Sequence, residues 1–339
     1  ALRRLLGRLQ RGARRRGLLL QLQHEGRQAL GRHHHAPVAQ LLGQRQQPAQ
    51  LALGADQRPL GLEQLILGGQ PIDVAAAIPF GQVLAALFGP GSRDASMALP
   101  RVPLEDLFVN PAVAYLEARH GVVIRGAPAT ITFDEGRVAA VEAGDASWRD
   151  PAAVICAVPW HALATTLIAP PNKLARVVED GRSTPGASIV TAYLWLNGRY
   201  AGPSVLGLPG RAFQWAFDVG ALLGGGRACV SLVASAADAL VPLSNDELAA
   251  RALADLQTAV PSVRSAGLRH ATVVRERRAT FSVAPGRPER PGAETGIPGF
   301  SLAGDWIATT LPATIESAAM SGHRAAASLL ALSQHPTRQ

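Results

Sequence analysis

The stretch Gly299-Phe-Ser-Leu-Ala-Gly-Asp-Trp-Ile-Ala-Thr-Thr-Leu-Pro-Ala-Thr-Ile-Glu-Ser-Ala-Ala-Met-Ser-Gly-His-Arg-Ala-Ala-Ala327 decides the fold. Its apolar run Phe300–Ala303 predicts a short strand, closed by Gly304 and Asp305. A loop of small residues follows. Pro312 is expected to open a helix that reaches about Leu332. The predicted order is strand, carboxylate, loop, helix amino end.

That order suits a nucleotide. Gly304 lets the backbone approach a ligand. Asp305, at the carboxyl end of a strand, is placed to accept hydrogen bonds from ribose or polyol hydroxyls. The unpaired amides around Pro312–Ile315 favour negative charge at the helix start. Ala318, Ala319, Gly322 and Ala325–Ala327 permit close packing of helix on sheet. An ordinary strand–loop–helix with Asp305 as a turn former fits the same spacing.

Working outward, the apolar run Ala152–Val158 predicts a strand buried on both faces. Before it lie three short strand patterns, Val122–Ile124, Ala129–Phe133 and Arg137–Glu142, the last two joined at Asp134-Glu-Gly136. Asn110-Pro111 is expected to cap and open a helix that ends at Gly121. Leu99–Leu104 predicts an extended connector, and residues 73–88 a helix. Between the two nucleotide-type segments lie strand patterns at Ile189–Leu196, Phe213–Phe217, Ala228–Val233 and Ala271–Glu276. Ser244-Asn-Asp-Glu247 predicts a capped helix ending near Val260-Pro261. Two segments, 71–160 and 295–332, thus flank a second lobe over 161–294, a sheet with a helix on it, and a tail spans 333–339. The fold class is α/β (α+β).

Composition bounds the rest. The chain has 339 residues, 47% apolar and 17% charged, a balance that supports a buried core and excludes wholesale disorder. No run of about 18 uncharged apolar residues occurs, so no spanning helix is predicted. Cys156 and Cys229 are too few for a disulfide framework or a four-thiolate metal site, and no metal is assigned. The net charge of +8 lies wholly in residues 1–70, where 11 Arg face 3 acids; the remaining 22 cations face 22 acids. That segment holds 12 of the 17 Gln and none of the aromatic residues. Its composition matches a GC-rich coding region read in a shifted frame. A helical lobe and a basic arm for RNA or an anionic membrane are the alternatives, and missing aromatics argue against single-strand stacking. No nucleic-acid partner is expected.

The blocks Val274-Arg-Glu-Arg-Arg-Ala-Thr-Phe281, Leu302-Ala-Gly-Asp-Trp306, Leu311-Pro-Ala-Thr-Ile-Glu316 and Ser321-Gly322 resemble the squalene-associated FAD-dependent desaturases. These are the hydroxysqualene dehydroxylases, within the flavin amine oxidase and phytoene desaturase superfamily. Leu99–Phe108, Ala157–Pro159 and Gln214–Phe217 resemble the family in order and spacing, so the likeness covers roughly 71–332. The resemblance implies FAD as cofactor, held by a Rossmann-like FAD/NAD(P)-binding domain from 71–160 and 295–332 that is incomplete at its amino terminus, with a mixed-sheet substrate lobe from 161–294. It places Gly304, Asp305, Trp306, Leu311, Pro312, Ala313, Thr314, Ile315 and Ala129 beside the cofactor. It places Arg278, Thr280 and Phe281 toward the substrate. It implies reductive removal of the allylic hydroxyl of hydroxysqualene, in the cytoplasm, with peripheral contact to the inner membrane face. A carotenoid desaturase-type or amine oxidase-type activity and an inactive fragment are the alternatives. No catalytic acid is named; His161, His270 and His323 are read as packing or surface residues.

Two positions depart from the family pattern: Ile307 stands for a usual Thr and Thr310 for a usual Gly. The larger departure is the family's opening Gly-x-Gly-x-x-Gly. The two Gly-x-Gly pairs, Gly89/Gly91 and Gly224/Gly226, continue to Asp94 and Cys229 at the third position. The first βαβ unit is therefore expected to be missing, through truncation or a frame shift upstream.

Overall fold

The computed structural model describes residues 96–224, 228–282, 284 and 286–334, and the isolated Ala85. The segment 1–70, the helix expected over 73–88 and the pair Gly89/Gly91 lie outside the described residues, as does Gly226. Helices of eight or more residues are numbered. In chain order the elements are a π-helical turn Glu105–Val109, α1 (Asn110–Glu117), β1 (Ala129–Asp134), β2 (Arg137–Ala143), β3 (Ala146–Arg149), β4 (Val154–Cys156), β5 (Leu167–Ile168) and α2 (Asn172–Ser183). Then come β6 (Gly186–Asn197), β7 (Val205–Gly207), β8 (Trp215–Asp218), β9 (Cys229–Ser235), α3 (Asn245–Ala259), β10 (Gly267–Phe281), β11 (Glu294–Ile297), β12 (Phe300–Leu302) and α4 (Ile315–Gln334).

Two compact units form. The first gathers residues 113–186, 280–282 and 286–334. It starts from a tight hairpin. Glu135 at φ 46° and Gly136 at φ 77° both take left-handed backbone, which lets β1 turn directly into β2. Alternation then buries Ile131 and Phe133 on β1 and Val138 and Ala140 on β2. β3 and β5 complete the sheet in the order β3-β2-β1-β5. A second sheet runs β11-β12-β4, with β12 parallel to β4 and Leu302 opposite Cys156. Phe133 meets Phe300 edge to face at 5.1 Å and joins the two sheets. Residues 161–186, expected with the substrate lobe, belong to this unit because β5 pairs with β1.

Three expectations ahead of β5 are corrected. Val122–Ile124 forms no strand, and Val122 is 81% exposed; among the described residues nothing supplies it a ladder. The strand expected over 152–158 shrinks to Val154–Cys156. It is an edge strand among the described residues, so Ile155 stays exposed rather than buried. Asn110 is helical (φ −61°, ψ −43°), not a cap, because the π-helical turn runs straight into α1 and its side chain donates to Asp106.

The second unit is built on a five-stranded sheet, β10-β6-β9-β8-β7. β9 pairs antiparallel with both β6 and β8, and β8 with β7. Val190, Ala192 and Leu194 on one face of β6 are wholly buried with Leu248, Ala252 and Leu256 of α3. The four-residue spacing on α3 meets the two-residue spacing on β6, as the apolar pattern predicts. Ser244 and Glu247 form a complete capping box at the start of α3. Phe213, expected as a strand residue, lies ahead of β8 in the core, where its N–H donates to Asp255. Cys156 and Cys229 are free and buried, and burial pushes both thiols above their ordinary pKa.

Ser244→Ala removes one arm of the capping box, and the expected loss is about 1 kcal/mol of stability. Urea unfolding followed by far-UV circular dichroism measures it; an unchanged midpoint contradicts the role given to the cap.

Candidate functional site

The site forms where β12 ends. Gly304 has φ +131°, a backbone region closed to other residues, and a Cβ there would stand 2.8 Å from Trp306 Nε1. α4 fixes this corner through Ser321, which is fully buried. Its Oγ accepts from Gly304 N at 2.8 Å. The stripe of α4 that faces inward is Ser317, Ser321, Ala325 and Leu329, one residue per turn. The small residues singled out in the sequence sit mostly off this stripe: Ala319 is exposed, and nothing lies within 4 Å of a Cβ placed at Gly322.

α4 begins at Ile315 rather than Pro312. Thr314 is the cap: its Oγ1 accepts from Ser317 N at 3.1 Å and its carbonyl from Ala318 N at 3.0 Å. The hydroxyl does what a proline cannot, because it satisfies an amide. The amides of Ile315 and Glu316 remain at the helix end without intrahelical acceptors. Leu311, Pro312 and Ala313 are partly exposed, and Thr314 and Ile315 are exposed.

Asp305 is partly buried. Loss of solvent raises its carboxyl pKa, against its own amide, the charge of Arg290 and the Trp306 amide, which lower it. Its carboxylate therefore keeps spare acceptor positions. Trp306 and Ile307 turn inward. Trp306 is 5% exposed and its Nε1 donates to Val158 O at 2.9 Å; Ile307 is wholly buried. An indole N–H needs a partner and finds one at the end of β4, so these two side chains are core. Ile307 at the family's Thr position is explained by that burial. Thr310 keeps ordinary negative φ, so the loop is built without the glycine conformation.

Ala129 is exposed at the start of β1, opposite Ala143. Phe281 is buried, edge-on to Trp160 at 5.9 Å, with the Arg290 guanidinium 5.3 Å from its ring. It is an interior residue, not the wall of an open pocket. Thr280 is partly buried in the same unit; Arg278 is exposed and belongs to the sheet unit. The sheet unit has its own cavity of about 230 Å³, lined by Trp195, Leu196, Ala228, Arg269 and His270, and none of the predicted substrate residues reaches it. His270 packs on Trp195 at 5.1 Å, and His161 meets Trp160 edge-on at 4.9 Å. Among the described residues no cluster of three acidic, His or Cys side chains could hold a metal, and no helix is long and apolar enough to cross a membrane.

The sequence reading missed Arg290. Its guanidinium donates to the carbonyls of Asp305 at 2.7 Å, Leu311 at 2.7 Å and Trp306 at 3.4 Å, and to that of Ile307. It also reaches Ser317 Oγ at 3.1 Å and Thr309 Oγ1 at 3.3 Å. Nothing in Arg287-Pro-Glu-Arg-Pro291 separates this arginine from its neighbour Arg287.

The result is a partly buried acceptor beside a helix end that offers donors. A flavin nucleotide presents both complements, sugar hydroxyls and a diphosphate, so the residues fit that group. Because the folded state holds the Asp305 proton more tightly than the unfolded chain, ionisation costs stability as pH rises through the ordinary carboxylate range and the raised value above it. Asp305→Asn is expected to raise the thermal midpoint at pH 7, with the difference closing in acid. Equal midpoints at pH 7 contradict the burial of this charge.

The model of the flavin containing amine oxidoreductases matches residues 110–330. A hydroxysqualene dehydroxylase of Rhodopseudomonas palustris is 32% identical over 74% of this chain and 57% of its own length. One of Zymomonas mobilis is 32% identical over 67% of this chain and 52% of its own. The chain thus spans just over half the length of these relatives. Among solved structures, an oxidoreductase of Methanosarcina mazei superposes with a TM-score of 0.60 at 15% identity, over 79% of this chain and 63% of that one. A putrescine oxidase bound to putrescine gives 0.59 at 17%, over 80% and 64%. These last likenesses show a shared fold. With a family match across both units and the strand–carboxylate–loop–helix corner in place, the chain belongs to the flavin containing amine oxidoreductase family.

Proposed function

We propose that this chain carries part of an FAD-dependent oxidoreductase that removes the allylic hydroxyl of hydroxysqualene to give squalene. The observation that carries the reading is Asp305: a partly buried carboxylate with spare acceptor capacity, at the end of β12 and beside the start of α4. The likeness to two hydroxysqualene dehydroxylases supports the substrate. In this reading the unit of residues 113–186, 280–282 and 286–334 holds the cofactor, and the five-stranded sheet unit belongs to the substrate.

Reduced flavin, when bound, supplies the hydride that replaces the hydroxyl, which leaves with a proton as water. The chain's residues bind and orient. Asp305 accepts from the ribityl or ribose hydroxyls. Gly304 and Ser321 hold the corner that presents it. The amides of Ile315 and Glu316 favour negative charge at the start of α4. Leu311, Pro312, Ala313, Thr314 and Ile315 supply the loop surface along the flavin, and Ala129 leaves room for the adenine. No side chain is required as a nucleophile, and the exclusion of water falls to the apolar surfaces.

A chimera tests the reading. The amino-terminal part of the Rhodopseudomonas palustris relative is joined ahead of residue 96 of this chain. With FAD and a reductant it is expected to convert hydroxysqualene to squalene, measured by gas chromatography and mass spectrometry. A chimera that binds flavin, absorbing near about 450 nm, yet leaves the alcohol untouched contradicts the substrate. The 339-residue chain alone is expected to lose flavin during gel filtration, because one half of the polar contacts is weakly held without the other.

A further inference from the structure

We infer that Arg290 is the positioning residue of the cofactor loop: it fixes the peptide planes of residues 305–308 and so sets where the Asp305 carboxylate stands. The inference rests on the flavin reading only for the identity of the ligand.

In a planar trans peptide the C=O of one residue and the N–H of the next point in opposite directions. Arg290 draws the Asp305 carbonyl toward its guanidinium. The Trp306 amide in the same plane must then point away from the guanidinium. One plane is therefore held on its carbonyl edge by Arg290, and the Asp305 Cα from which the carboxylate springs is held with it. The next fixed plane repeats the arrangement. The Ile307 carbonyl faces Arg290, and the Ala308 amide points away and donates to Pro291 O at 2.8 Å. Arg290 and Pro291 thus hold opposite edges of one loop.

The geometry requires an arginine. The carbonyls of Asp305 and Ile307 meet one terminal nitrogen, that of Leu311 meets the other, and that of Trp306 meets Nε. A planar fork with five N–H groups spans such a set, whereas a lysine ammonium offers a point charge with three donors. Ser317 and Thr309, themselves 2.6 Å apart, extend the contact to α4. Through Ser317 the loop is set against the same helix whose first amides face the ligand.

Arg290→Lys and Arg290→Met in the full chain test this, with Arg290→Lys as the decisive variant. Amide hydrogen exchange is read at Ile307 and Ala308, whose N–H groups donate to Gly304 O and Pro291 O, with Ala325 and Leu329 in α4 as the reference for intact folding. In both variants exchange at Ile307 and Ala308 is expected to rise at least tenfold while the reference amides hold. The Asp305 carboxyl pKa, read by ¹³C chemical shift, is expected to rise in Arg290→Met and to move less in Arg290→Lys, which keeps the charge. Wild-type protection of Ile307 and Ala308 in Arg290→Lys overturns the inference, because charge alone then suffices. FAD titrations by fluorescence quenching run in parallel, with affinity expected to fall at least tenfold in both variants. If the wild-type chain itself shows no FAD binding, the flavin reading fails, and the exchange data still decide the role of Arg290.

Discussion

A loop that leaves a strand and enters a helix turns its carbonyls away from any ladder, and each one left buried without a donor costs roughly 1–3 kcal/mol. In this chain one guanidinium meets four of them, at Asp305, Trp306, Ile307 and Leu311. The remaining geometry of the corner follows. With the carbonyls drawn to one side, the amides turn away, that of Ile307 to Gly304 O and that of Ala308 to Pro291 O. Gly304 closes the turn, because its positive φ and the nearby indole admit no side chain. Ser317 and Ser321 then dock the loop on α4 with hydroxyls rather than methyls.

A carboxylate whose pKa is raised by burial, as at Asp305, costs the fold stability when ionised. The capping box on α3 shows the opposite case. Its Glu247 carboxyl is exposed and held below the ordinary range by hydrogen bonds from Ser244, so its charge supports the helix start.

Patterns that depend on period or on a local motif were legible in the sequence. β-Branched and aromatic content along Ile189–Leu196 marked β6, the Asp134-Glu-Gly136 turn marked the hairpin, and Ser244 with Glu247 marked the start of α3. The strand–carboxylate–loop–helix order of the carboxy-terminal corner was also legible. The short strands β5, β7 and β11 escaped, because two to four residues without a dense apolar run carry no readable period. Val122–Ile124 has the composition of a strand but no ladder among the described residues. The start of α4 was misplaced because Pro312 and Thr314 both signal a helix start, and only the hydroxyl satisfies an amide. Within the site, the backbone positions Gly304 and Asp305 were visible. Trp306 and Phe281 were drawn to the ligand by motif, whereas their burial places them in the core. Arg290 gave no local signal, since its partners lie 15 to 27 residues away.

The most direct test of the corner as a flavin cradle is a titration of the isotopically labelled chain with FAD, followed by amide chemical shifts, which detects binding too weak to survive purification. The account predicts that the amides of Gly304–Trp306 and of Ile315 and Glu316 move together and saturate at one affinity. Shifts confined to other residues, or none at millimolar FAD, would contradict it.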